Sequence, residues 1–158
     1  MSVLFTARDM LATAIEIERS GFAFYSALAG AGKATFTFQH LADQERLHET
    51  MFQRILDSLG EAPAAESYTG ELALYIKALA SGRVFTNTAE ARETAAKLAP
   101  VEAVHMAIGM EKDSILFYGE MRGLVRREDR PVVDRITDEE RGHVLLLSGL
   151  LTQMGETP

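Results

Sequence analysis

Four long stretches of the chain carry apolar residues at helical spacing. In each, polar residues sit inside the apolar stripe instead of opposite it. Leu11, Ala14, Ile15, Phe22, Tyr25 and Ala29 define the first stripe, and Glu18 falls within it. The second joins Phe38, Leu41, Phe52, Ile55 and Leu59, with Glu45 and His48 on the same face. The third joins Val104, Ala107, Ile108, Ile115 and Tyr118 with Glu111, and the fourth Val133, Ile136, Leu147, Leu150 and Met154 with Glu140 and His143. Local signals punctuate these helices. Thr6 to Asp9 reads as a capped start, Gly30-Ala31-Gly32 as a stop, and Gly60 and Pro63 as a second stop. Pro100 suits the first turn of the third long helix, the charged stretch Arg126 to Arg130 is a turn, Pro131 opens the fourth helix and Gly155 ends it. Residues 61–99 form a crossover with two short helices, one over Glu71 to Ala80 and one from Asn87 or Thr88 to about Leu98, broken at Ser81-Gly82. No segment alternates with a strand period. The expectation is an all-α chain, residues 1–158 forming one domain: two antiparallel helical hairpins with a long, partly helical crossover.

The polar residues in the stripes form a repeat. Glu18 and Glu111 each stand seven residues before a Tyr, at Tyr25 and Tyr118. Glu45 and Glu140 each stand three before a His, with Asp at minus two and Arg at plus one in both copies. The copies are offset by 93 residues for the first part and 95 for the second, which is the mark of a duplicated helical hairpin.

Spacing also says where these residues meet. The midpoint between Glu18 and Glu45 falls in the Ala31-Gly32 turn, and that between Glu111 and Glu140 falls just before the charged turn. Each Glu therefore stands level with its Glu-x-x-His partner. Residues three apart share a helix face, so Glu45 with His48, and Glu140 with His143, can each share an ion. Stacked hairpins gather four carboxylates and two imidazoles in one core. Buried carboxylates without cations repel one another and are poorly solvated; two divalent metals bridged by carboxylates relieve both problems. Imidazole and carboxylate without sulfur suit iron or manganese, and zinc would also bind. Gln44 and Glu139 each lie four residues before one of the histidines, placed to accept its other ring N–H.

Composition narrows the classes. The chain has 158 residues, a net charge of −7 and no Cys. An acidic chain is a poor binder of nucleic acid, and without Cys there is no disulfide, thiolate site or cysteine nucleophile. Met1 to Met10 lacks the basic and apolar runs of a signal peptide, and Val144 to Leu151 is far too short to span a bilayer. The expectation is a cytoplasmic protein with neither nucleic-acid nor membrane partners.

With these residues in view, the chain resembles the rubrerythrin-like branch of the ferritin-like di-iron carboxylate superfamily, over both hairpins or about two thirds of its length. The carriers are the segments Glu18 to Tyr25, Glu45 to His48, Glu111 to Tyr118 and Glu140 to His143. The resemblance implies a ferritin-like four-helix bundle with Glu18, Glu45, His48, Glu111, Glu140 and His143 as ligands of two irons. It also implies that Tyr25 and Tyr118 hydrogen-bond ligand carboxylates across the bundle. On residue type alone, they are equally core tyrosines with satisfied hydroxyls. Two departures stand out. Rubrerythrins proper carry a four-cysteine iron domain that delivers electrons, and this chain has no Cys. They also carry an extra Glu three residues after the third-helix ligand, where this chain has Ser114; the repeat mate of Ser114 is Gly21. The remaining four Glu and two His look more like bacterioferritin.

A Glu-x-x-His pair alone says little. Glu102 and His105 also fit it, but His105 lies about 120° round the helix from Glu111 and reads as a solvated surface residue. His40 reads as a partly exposed structural residue, and the seven Met as core filler. Leu72, Leu74, Tyr75, Ile76 and Leu79 either cover the bundle or pack against a second copy of the chain. The function expected is a di-iron oxidoreductase reducing peroxide or dioxygen, as a homodimer with an external electron-donor protein and with Tyr25, Tyr118 or a ligand carboxylate handling protons. The alternatives are an iron-handling, ferroxidase-type protein and a bundle whose metal is structural.

Overall fold

The computed structural model describes residues 5–60, 67, 68, 70–81 and 87–157. Among these, six helices carry the fold: α1 (Ala7–Gly30), α2 (Thr35–Ser58), α3 (Gly70–Ser81), α4 (Thr88–Lys97), α5 (Pro100–Leu124) and α6 (Arg130–Gln153). The chain is all-α, as its periodicity predicts, apart from one ribbon. There β1 (Phe5–Thr6) pairs antiparallel with β2 (Ser67–Tyr68). Two residues per strand are too few to leave a period in the sequence. Pro63 and Gly82, read as a stop and a break, lie outside the described residues.

The helix ends follow local chemistry. Thr6 Oγ1 accepts from the Asp9 N–H at 3.2 Å, and Asp9 Oδ2 accepts from the Thr6 N–H at 2.9 Å. This reciprocal cap is worth about 1 kcal/mol. Gly32 takes φ 73° and Gly155 φ 82°, the left-handed conformation that a Cβ disfavours and a helix stop uses. Asn87 caps α4 through its side chain, and Pro100 opens α5. Lys33, in the α1–α2 turn, donates to the Ala95 and Leu98 carbonyls at 2.9 and 2.6 Å. It thereby ties that turn to the C-terminal end of α4, where a cation is favoured.

Helices α1 and α2 form one antiparallel hairpin and α5 and α6 the other, and the two pack face to face. Their interior has two apolar lobes. One gathers Tyr25, Leu28, Phe38, Val104, Ala107 and Leu147; the other gathers Met10, Leu11, Phe52, Tyr118, Val133 and Ile136. Along every long helix the polar residues of the repeat fall between the residues of the two lobes, so they form a belt across the middle of the core. The crossover helices pack on the outside of the bundle. Helix α4 lays Ala91 and Ala95 on α1, while α3 buries Ala73 and Ile76 beside α5 and leaves Leu72, Leu74 and Tyr75 exposed. Among the described residues no helix is long and apolar enough to cross a membrane.

Candidate metal centre

The belt consists of Glu18, Glu45, His48, Glu111, Glu140 and His143, each no more than 5% exposed. Their approach is close. His48 Nδ1 lies 3.0 Å from Glu140 Oε1 and 3.5 Å from Glu18 Oε2. His143 Nδ1 lies 2.7 Å from Glu140 Oε2 and 3.6 Å from Glu111 Oε1. The two imidazole rings face each other across the bundle, 5.8 Å between centres. Donor atoms of Glu45, Glu111, Glu140 and His143 form one group within 4.8 Å of one another, and those of Glu18, His48 and Glu140 form a second. Glu140 belongs to both. Glu45 joins His143 across the bundle, whereas the three-residue spacing anticipates that it shares an ion with His48.

The donor set fits a cation better than it fits itself. Glu18 Oε2, His48 Nδ1, Glu140 Oε2 and His143 Nδ1 are fully buried and make no hydrogen bond. Leaving such atoms unsatisfied costs about 1–3 kcal/mol each. The close contacts are crowding without alignment, because the atoms face a common space. Two divalent cations in that space would satisfy all four.

The titration of the cluster shows the same tension. Burial pushes the Glu45 carboxyl well up, and Glu18, Glu140 and Glu111 add to it. Burial and Glu140 push Glu111 up to about 8, against the pull of His143. Burial works against charge on His48, but Glu140 and Glu18 overcome it and push the ring up to about 11. His143 is likewise pushed up to about 9 by Glu111 and Glu140, against burial. Burial would raise Glu140, yet His143 and His48 hold it down at about 2. Protons on the imidazoles thus stand where metal charge would otherwise balance the carboxylates.

Each tyrosine reaches the opposite hairpin. Tyr25 Oη donates to Glu111 Oε1 at 2.5 Å, and Tyr118 Oη donates to Glu18 Oε1. Burial raises both phenols well above their usual range, helped most by Glu111 for Tyr25 and by Glu18 for Tyr118. Tyr25 stacks on Phe38 and Tyr118 leans on Phe52, so both rings are fixed by the apolar lobes.

Three features escaped the sequence reading. Glu139 does not serve the histidine of its own helix: its Oε2 accepts from His48 Nε2 at 2.8 Å across the bundle, while its Oε1 accepts from Arg135 Nε at 2.9 Å. Gln44 makes no such bond to His143 among the described residues. Gly21 leaves room for Glu45, since a Cβ there would lie 2.5 Å from Glu45 Oε2 and the carboxylate would have to move. Ser20 is 4% exposed, and its hydroxyl has no partner. No periodic signal marks these three, because each depends on a neighbour from another helix. The bland residues stay bland. His40, Glu102 and His105 are exposed, and Glu102 caps α5 by accepting from the Ala99 N–H at 2.9 Å. Ser114 spends its hydroxyl on the Met110 carbonyl at 3.1 Å.

The rubrerythrin family model matches residues 9–151, which takes in all four long helices. A crystal structure from Thermotoga maritima, provisionally described as a ferritin-like diiron-carboxylate protein, superposes with a TM-score of 0.72 at 31% identity, covering 91% of this chain and 93% of that one. No curated protein matches the chain.

Proposed function

Since this chain belongs to the rubrerythrin family, we propose that its buried belt binds two metal ions, iron in the working protein, and reduces peroxide or dioxygen with electrons from a separate donor protein. The observation that carries this is Glu140, shared by two groups of buried oxygen and nitrogen donors whose unsatisfied atoms converge. The Thermotoga protein's description supports iron as the metal. Two irons there would supply the two electrons that, with two protons, turn one peroxide into two waters.

The chain's own residues do the rest. His48 donates its Nε2 proton to Glu139, so that a metal displacing the other ring proton would find the Nδ1 lone pair facing the belt. Tyr25 and Tyr118 pin the Glu111 and Glu18 carboxylates from the opposite hairpin and keep their own protons. The Tyr25 hydroxyl, buried and held on Glu111, would be a proton donor within the belt for a reacting oxygen. A homodimer is part of the same reading, and size-exclusion chromatography tests it.

The test is to load the protein with ferrous iron under anaerobic conditions, add one equivalent of peroxide, and follow the ferric absorbance. Oxidation faster than that of free ferrous iron, at about two irons per chain, is the expected result. Oxidation no faster than free iron leaves a structural metal. Uptake well beyond two irons per chain supports iron handling instead.

A further inference from the structure

One side of the belt is not sealed. Between α1 and α5 lies a cavity of about 40 Å³, lined at its base by Tyr25, Glu45 and Glu111 and along its walls by Ser20, Gly21 and Ser114. Leu79 of α3 and the exposed Asp113 stand at its rim. Of the six belt residues it touches Glu45 and Glu111, which belong to one donor group, and none of Glu18, His48, Glu140 or His143 lines it.

We propose that this cavity is the passage and recognition site for the small oxidant, and that Ser20 supplies the hydrogen bond that recognises it. The inference rests on the metal-centre reading above and adds the route, the side of approach and the size limit. Three observations support it. The Ser20 hydroxyl is buried, lines the cavity and has no protein partner, so a molecule in the cavity is its available partner. Gly21 has no side chain, and Ser114 has a short one turned back to its own helix; longer residues at either position would fill the space. The volume holds a few water-sized atoms and no more. A molecule of two or three heavy atoms with polar ends fits, as peroxide or dioxygen does. A branched alkyl hydroperoxide does not.

Azide, a three-atom polar ligand, is the probe. It would be titrated into the iron-loaded, oxidised protein and read by its charge-transfer absorbance. Ser20→Ala removes only an oxygen and should weaken azide by about fivefold, the loss of one hydrogen bond. Ser114→Leu should slow azide association about tenfold, and Leu79→Ala, which widens the rim, should speed it, all with unchanged iron per chain. Leu79→Ala should also admit tert-butyl hydroperoxide, which the native protein excludes. Azide affinity and rates identical across all three variants, in protein that holds its iron, would overturn the cavity's role and leave the metal centre standing. An iron-loaded native protein with no azide absorbance would do the same. A native protein that takes up no iron would overturn the metal-centre reading itself.

Discussion

The α1–α2 hairpin and the α5–α6 hairpin are copies of one pattern, yet they present different surroundings to the belt they share. What matches is reciprocal: each supplies a Glu, a Glu-x-x-His and a Tyr, and each Tyr reaches the other hairpin's Glu. What differs lies one layer out. The second hairpin offers Glu139 to His48, where the first has Gln44 with no bond to His143. The first has Gly21 where the second has Ser114, and Glu45 occupies the room that Gly21 leaves. A duplication can thus hold its donors constant while neighbouring residues make the two donor groups unequal. One group is gripped by a carboxylate–histidine pair. The other faces a cavity.

The comparison breaks hardest at Glu140. Because it belongs to both groups, Glu140→Ala should abolish binding of both metals, whereas Glu45→Ala should remove about one of two; iron per chain by elemental analysis decides. Equal losses would mean that the groups are not built as described.

Acidity comes next. In the metal-free protein the folded pKa of His48 is raised to about 11 and that of His143 to about 9, against about 6.5 for an unfolded histidine. The folded chain then binds more protons than the unfolded one above pH 6.5. The stability these histidines contribute is fully present below that value and is lost as pH rises through about 9 and then about 11. Metal must displace those protons, so its affinity should rise with pH while apo stability falls. Parallel urea melts across pH would show apo stability falling above about pH 6.5 while the metal-bound form stays nearly level, and parallel slopes would contradict the account.

Glu139→Gln makes the two hairpins alike at this position. It should weaken metal at the His48 group about 10–100-fold, while Gln44→Ala leaves affinity near the native value; calorimetric titration separates the two. The smallest effect contrasts Gly21 with its repeat mate. Gly21→Val forces a side chain into Glu45 and should cost about 1–3 kcal/mol of stability. Ser114→Val, which gives up one local hydrogen bond, should cost about 1 kcal/mol or less. Chemical denaturation measures both.

Much of this is legible in the sequence itself. Thr6, Gly32, Pro100 and Gly155 mark helix ends through effects confined to one turn, so those ends are readable locally. The six belt residues stood out because charged groups inside apolar stripes, occurring twice at matched distances from a turn, have little other reason to be there. The spacing of Glu139 points to the histidine of its own helix, whereas its partner is His48 across the bundle: sequence spacing reports faces, while distances across a bundle depend on packing. The roles of Ser20 and Gly21 were not legible, since a hydroxyl without a partner and a missing Cβ acquire meaning only from what lies opposite.

The most direct measurement is an anomalous-difference map at the iron edge from crystals of the ferrous-loaded protein. The account predicts two peaks about 3.5–4 Å apart, flanked by His48 on one side and His143 on the other, with the Glu140 carboxylate between them. A map with no peak among these six side chains, or with iron only at surface carboxylates, would contradict it.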